Sequence, residues 1–174
     1  MKFFLIIISI LFIFIKSNAN ENIVFIDIDF IVANSKLGKS VIKQVEKKKN
    51  NINKELVNEE KKLKEKENKI ISQKNVLNEK QYKNELDQLK NMIAKYQIVR
   101  KQKNEELNKF TLKANNQMLT LISPIINDYL KEKSISIILQ KKHIVTGRND
   151  LNITAIILSQ LDNNIKKIDL DKIQ

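Results

Sequence analysis

Between Gly38 and Pro124 the chain runs for more than eighty residues without a glycine or a proline. Nothing in that stretch breaks a helix, so long helices are the natural reading. Its apolar residues recur in steps of three, four and seven at Ile42, Val45, Ile52, Leu56, Leu63, Ile70 and Leu77, the spacing of a coiled-coil stripe. The phase then breaks and resumes at Tyr82, Leu86, Leu89, Ile93, Tyr96, Leu107 and Phe110. Two helices are implied, with a turn near residues 75–78, where Asn78 and Gln81 have the spacing of a capping box. The chain folds back as an antiparallel hairpin. Each helix of about 40 residues would reach roughly 60 Å, too long for any compact core, so the pair must project as an arm. Lys49, Glu59, Lys66, Gln73, Arg100 and Lys103 occupy places where apolar residues are expected. The seam should therefore be thin and loosely specified.

The flanks follow a different period. Ile23 to Asp29 is a β-branched run that reads as a strand, with Ile23, Phe25, Ile26 and Ile28 available for a core; Ile135, Ile137 and Leu139 mark a second strand, and His143 to Thr146 a third. Asn152 or Thr154 can cap a short final helix, with Ile153 just ahead of it and Ile156, Ile157 and Leu161 facing the strands. Strands from opposite ends of the sequence can pair only if the hairpin leaves a small body and returns to it. The fold class is mainly α with a small β part. Such a body buries too little surface to stand alone, and assembly is the usual remedy.

Ahead of the body, Lys2, the apolar run from Phe3 to Ile15 and the small residues Ser17-Asn18-Ala19 read as a signal peptide, removed near Ala19. An uncleaved anchor is the alternative, but the run is shorter than the roughly 20 residues that span a bilayer. The domain boundaries follow: residues 1–19 leader, 20–37 first strand and short helix of the body, 38–131 arm, 132–174 remaining strands and terminal helix.

Lys and Arg exceed Asp and Glu by 12. Loss of Lys2 and Lys16 leaves +10, of which +9 falls between Lys39 and Lys109, so acidic partners would be drawn to the middle of the chain. Lys61, Lys62, Lys64, Lys66, Lys69, Lys74, Lys80 and Lys83 lie near the arm tip. They form either a surface for acidic chains and anionic lipid or an ordinary solvated helix face in a Lys-, Asn- and Ile-rich sequence. Apolar residues off the stripe, namely Val57, Ile71, Val76, Met92, Ile98 and Val99, are candidates for contacting another chain.

Catalytic signals are missing. The chain has no cysteine and a single histidine, His143, which disfavours a zinc site and thiol chemistry. Asp27 and Asp29 would share a strand face, but no second acidic cluster or phosphate loop accompanies them. We expect neither cofactor nor enzymatic activity. A basic nucleic-acid-binding coiled coil is an alternative reading, opposed by the leader and the scarcity of aromatic residues. A coiled-coil adaptor or scaffold of the cell envelope is another.

The order of features resembles the Skp/OmpH family of periplasmic chaperones across nearly all of the chain after the leader. Ile23 to Asp29, Phe30-Ile31-Val32-Ala33-Asn34-Ser35 and Gly38-Lys39 are similar to the family's first strand, short helix and arm-opening glycine. Leu151-Asn152-Ile153-Thr154-Ala155, running into Ile156 to Leu161, resembles its terminal Asp-Ile-Thr motif and last helix, with Asn152 in place of the usual Asp. The resemblance implies a homotrimer whose strands form a shared body with three hairpin arms around a cavity. It also implies an ATP-independent holdase in the periplasm, whose partners are unfolded outer-membrane β-barrel proteins.

Overall fold

The computed structural model describes residues 22–165 and 167–172. The leader and its cleavage position lie outside them. Strand β1 (Ile23–Ile26) leads into helix α1 (Ile28–Asn34), then α2 (Lys36–Ser72) and α3 (Glu79–Glu132), followed by strand β2 (Ile137–Gln140) and helix α4 (Thr154–Asn164). Short 3₁₀ turns occupy Lys141–His143, Asn149–Leu151 and Leu170–Lys172.

The two strands pair in parallel, Ile23 opposite Ile137 and Ile26 opposite Gln140. The first strand is shorter than the Ile-rich run suggests. It ends at Ile26 because Asp27 turns the chain: its carboxylate accepts from the amide of Phe30 as the N-cap of α1. Ile28 and Asp29 are therefore helical rather than extended, and the two aspartates share no strand face. The second strand begins at Ile137, not Ile135. The expected third strand is replaced by the turn Lys141–His143 and an irregular stretch in which Val145 is fully exposed.

Ser35 both closes α1 and opens α2. Its backbone amide donates to Ile31, and its buried hydroxyl accepts from the Gly38 amide at 2.9 Å. Gly38 lies so close to the Val32 carbonyl that no side chain fits there. Lys36, the first residue of α2, donates its amide to the Asp162 carboxylate at 2.7 Å, which satisfies one of the helix's free N-terminal donors.

At 37 residues α2 is about 55 Å long, and α3 at 54 residues is about 80 Å. The surplus of α3 carries it through the body. Pro124 lies inside this helix rather than ending it. Its end is a Schellman turn: Ser134 adopts φ 51, its amide donates to Lys131, and the Ile135 amide reaches back to Leu130. At the distal end the chain turns between Gln73 and Asn78. The Asn78 side chain accepts from the Gln81 amide while the Gln81 side chain accepts from the Asn78 amide, a complete capping box.

One hydrophobic core serves the body and the root of the arm. Val24 and Ile26 of β1, Ile31, Leu37 and Val41, Ala114, Met118 and Ile122 of α3, and Ile153, Ile157 and Leu161 pack together. Completely buried residues such as Ile31, Leu37, Ile157 and Leu161 each contribute about 1.5–3 kcal/mol relative to exposure. Ile156, expected to face the strands, points outward instead. On an α-helix it lies about 100° from Ile157, which takes the inward position with Leu161. The last helix is tied to the first strand by polar contacts: Thr154 Oγ1 accepts from the Asp27 amide and donates to Asn152 Oδ1, and the Ile153 amide donates to Phe25. The N-cap position of α4 is Ile153, whose side chain cannot accept, so neither Asn152 nor Thr154 is the expected cap; Asn152 Oδ1 instead accepts from the amide and hydroxyl of Thr154 and fixes the turn ahead of the helix.

Candidate interaction surfaces on the arm and body

Beyond the shared core, the two long helices meet along a narrow seam. Ile52, Ile70 and Tyr96 are buried in it, and Val45, Leu56, Leu63, Leu77, Tyr82, Leu86, Leu89, Leu107 and Phe110 are half-buried. Ile42 and Ile93 are exposed and leave the predicted stripe. At the root α2 turns Val41 inward, because there it packs against the body as well as α3. Ile93 falls between Leu89 and Tyr96, which close the seam without it.

Polar residues hold the places where the stripe lapses. Lys66 pairs with Glu85, Lys103 with Glu55 at 2.7 Å and Glu106 at 3.5 Å, and Lys48 with Glu106 at 2.5 Å. The Lys48 ammonium also lies 5.9 Å from the centre of the Phe110 ring, within cation–π range. Tyr96 donates its hydroxyl to Glu60. That bond raises the Tyr96 pKa, with burial and the Glu60 charge adding to it. The hydrogen bond from Lys48 lowers the Glu106 pKa against opposing desolvation, helped by Lys103. Contact with Glu55 raises the Lys103 pKa. Sequence spacing singled out Lys66 and Lys103 as lapses in an apolar stripe; their partners, distant in sequence, were not readable from it.

Midway along the arm lies an open groove of about 750 Å³. Leu56, Leu63, Met92, Tyr96 and Val99 line it with apolar surface, and Glu59, Lys62 and Lys95 are among its charged edges. Met92, a candidate for contact with another chain, is half-buried in this groove. Val57, Ile71, Val76, Ile98 and Val99 are exposed, Val76 at 83%. They are spread along the arm rather than gathered into one patch. Leu112 and Leu119 are exposed too; they continue the seven-residue step from Ile98, a signal interrupted in the sequence by Glu105.

The tip lysines divide into two groups. Lys61 pairs with Glu65 at 3.9 Å, Lys62 with Glu59 at 2.6 Å, and Lys66 spans the hairpin. Lys64, Lys69, Lys74, Lys80 and Lys83 are exposed and form no ion pair among the described residues.

On the body, Phe25, Ile26, Ile135, Ile153, Ile157 and Leu161 are buried within the single chain, and Ile28 is half-buried. Ile23, Ile137 and Leu139 are exposed by 39–46%. Strand alternation puts these three on one face of the sheet. Phe25 shares that face but is covered where Gly147 approaches its ring. Phe30 and Ile156 are exposed nearby on α1 and α4. His143 is exposed, and no cluster of His, Asp or Glu among the described residues is placed to hold a metal ion. No described helix is long and apolar enough to cross a membrane.

Comparison with known proteins fits this architecture. The sequence model of the family described as Outer membrane protein (OmpH-like) matches residues 22–161. The fold is similar to a crystal structure from Caulobacter crescentus CB15 assigned as an OmpH-like outer membrane chaperone, with TM-score 0.79 and 17% identity over 85% of this chain and 88% of that one. No curated protein matches the sequence significantly. The matched region takes in both strands, the whole hairpin and most of the last helix, and the chain belongs to the OmpH-like family.

Proposed function

We propose that this protein is an ATP-independent chaperone of the periplasm that holds unfolded outer-membrane β-barrel proteins and keeps them from aggregating. The observation that carries the reading is the arm itself: two helices of 37 and 54 residues joined as a hairpin on a small body, with isolated apolar residues exposed along its length. An unfolded β-barrel protein presents alternating apolar side chains and unpaired strand edges. A binder without an energy source must hold such a chain by many weak contacts, because one tight site would trap it. Val57, Ile71, Val76 and Ile98 are separate contact points of that kind, and the groove between Leu56 and Met92 is another. The unpaired lysines at the tip add attraction for acidic segments or anionic headgroups. Family membership supports the chaperone role, and the relative from Caulobacter crescentus carries the same assignment.

The active form in this reading is a homotrimer. A two-stranded sheet is marginal alone, and Ile23, Ile137 and Leu139 offer an apolar face for another copy to cover. The leader directs the chain to the periplasm and is removed near Ala19.

The test combines native mass with refolding. The leader-free protein should have the mass of three chains and should suppress aggregation of a urea-denatured outer-membrane β-barrel protein diluted into buffer, at one trimer per client. A protein that leaves aggregation unchanged while binding a folded envelope protein tightly would establish the adaptor role instead.

A further inference from the structure

We infer that the segment ending in the Leu170–Lys172 turn is a strap that fixes the root of α2 to the body and so sets how freely the arm moves. The two arm helices are embedded very unequally. Helix α3 has buried residues at Ala114, Met118, Ile122 and Tyr129, several turns inside the body. Helix α2 enters at its first turns only, with Leu37, Gly38 and Val41 buried, and its next buried residue is Ile52. Any swing of the arm therefore works against the root of α2.

The strap grips that root at Gln44. The Gln44 side-chain amide donates to the Ile168 carbonyl at 2.8 Å, and its oxygen accepts from the Leu170 amide at 2.9 Å. A primary amide thus binds the backbone on both sides of Asp169 as a neighbouring strand would. The Gln44 amide nitrogen also donates to the Ser40 carbonyl at 3.2 Å, which holds the side chain in place. Leu170 is 1% exposed and belongs to the body core, with Ile165 and Ile168 packed against it. The turn after it is closed by the Lys172 amide donating to Asp169. Together with the Asp162 bond to Lys36, this anchors α2 from its first residue to the start of its third turn, from the C-terminal side of the chain alone. The strap lies beyond residue 161, where the match to the family's sequence model ends. It concerns the mechanics of the arm, whatever the arm binds.

Hydrogen exchange of the full chain read by mass spectrometry tests it, comparing the parent with Gln44→Leu, which keeps bulk but loses both amide bonds, and with Leu170→Ala. Amides of residues 40–48 should lose protection by roughly ten-fold or more in both variants, as local opening becomes easier. Protection in β1 and around Met118 should stay within about two-fold of the parent. Unchanged protection at 40–48 in either variant overturns the strap, and so does an equal loss across the whole body, which would make Leu170 an ordinary core residue.

Discussion

Tyr96 of α3 donates its phenolic hydrogen to the carboxylate of Glu60 on α2, linking the two arm helices near the middle of their seam. Tyr96 is buried at its ring while Glu60 stays exposed, so the bond fixes register where few apolar contacts do. Tyr96→Phe should keep the ring packing and lose about 1 kcal/mol in urea unfolding. Tyr96→Ala should lose more, because it also opens the groove floor. The pH dependence has a definite sign. The folded state holds the Tyr96 proton more tightly than the unfolded chain, so this contribution is complete below pH about 10 and fades as pH rises through the raised folded value. Tyr96→Phe should abolish that alkaline loss.

Acid acts on the other side of the same seam. The folded-state pKa of Glu106 is lowered by Lys48 and Lys103, so its contribution is present above the unfolded carboxylate range, about 4.3, and disappears as pH falls through the lowered value. Glu106→Gln should flatten the stability curve across that window, with little change at neutral pH beyond the modest worth of an exposed pair. Salt at 1 M should reproduce part of the effect in the parent and less in the variant, which among the described residues keeps only the Lys66–Glu85 and Lys103–Glu55 pairs across the hairpin, since screening acts on the charge. Urea midpoints at pH 3, 5 and 7 would check it.

The Schellman turn at the end of α3 uses a residue poorly suited to its backbone. Ser134 sits at φ 51, a left-handed conformation that glycine adopts without a Cβ penalty. Ser134→Gly should therefore raise thermal stability by a few tenths to about 1 kcal/mol, despite the extra freedom glycine gives the unfolded chain. Ser134→Val should lower it. A calorimetric melt in which the glycine variant unfolds well below the parent would contradict this.

How much of this could be read from sequence depended on whether a feature was local. The Asn78 and Gln81 capping box and the two helical phases are set by neighbours a few residues apart; the box is present in the structure, and the seam follows the predicted stripe except at Ile42 and Ile93. Asp27 shows the opposite case: an Ile-rich run fits strand and helix equally well over so few residues, and only the cap bond to Phe30 marks the change. Spacing in threes and fours puts Ile42 in the seam, yet at the arm root the body competes for the inward face and takes Val41. The partners of Lys66 and Lys103 depend on how the hairpin closes, which no single helix encodes. Gln44 gave no signal at all, because its partners are backbone atoms more than 120 residues away.

The junction between α1 and α2 should be the most sensitive point of the body. Ser35→Ala leaves the Gly38 amide without its acceptor in a buried setting, at a cost of about 1–3 kcal/mol. Gly38→Ala meets the Val32 carbonyl, which is backbone and cannot rotate away. It should cost at least about 2 kcal/mol by forcing the two helices apart. Circular dichroism melts that ranked these two variants with the parent would show the close approach to be dispensable.

Charge at the arm tip yields a prediction that separates attraction from architecture. Lys61, Lys62 and Lys66 already neutralise carboxylates of the arm, so reversing them would break the hairpin's own pairs and confuse the result. Lys69, Lys74, Lys80 and Lys83 face solvent without such partners. Reversing these four to Glu moves the net charge by eight units while leaving the seam intact. If the tip attracts acidic segments of client chains, the variant should bind a denatured outer-membrane β-barrel protein more weakly at 20 mM salt. The gap from the parent should narrow toward 300 mM, where the screening length falls below about 8 Å. Vesicles containing anionic lipid should show the same pattern and neutral vesicles none. If the lysines only solvate a helix face, parent and variant will bind alike at every salt concentration, and the exposed apolar residues Val57, Ile71, Val76 and Ile98 with the groove between Leu56 and Met92 must then account for the binding unaided.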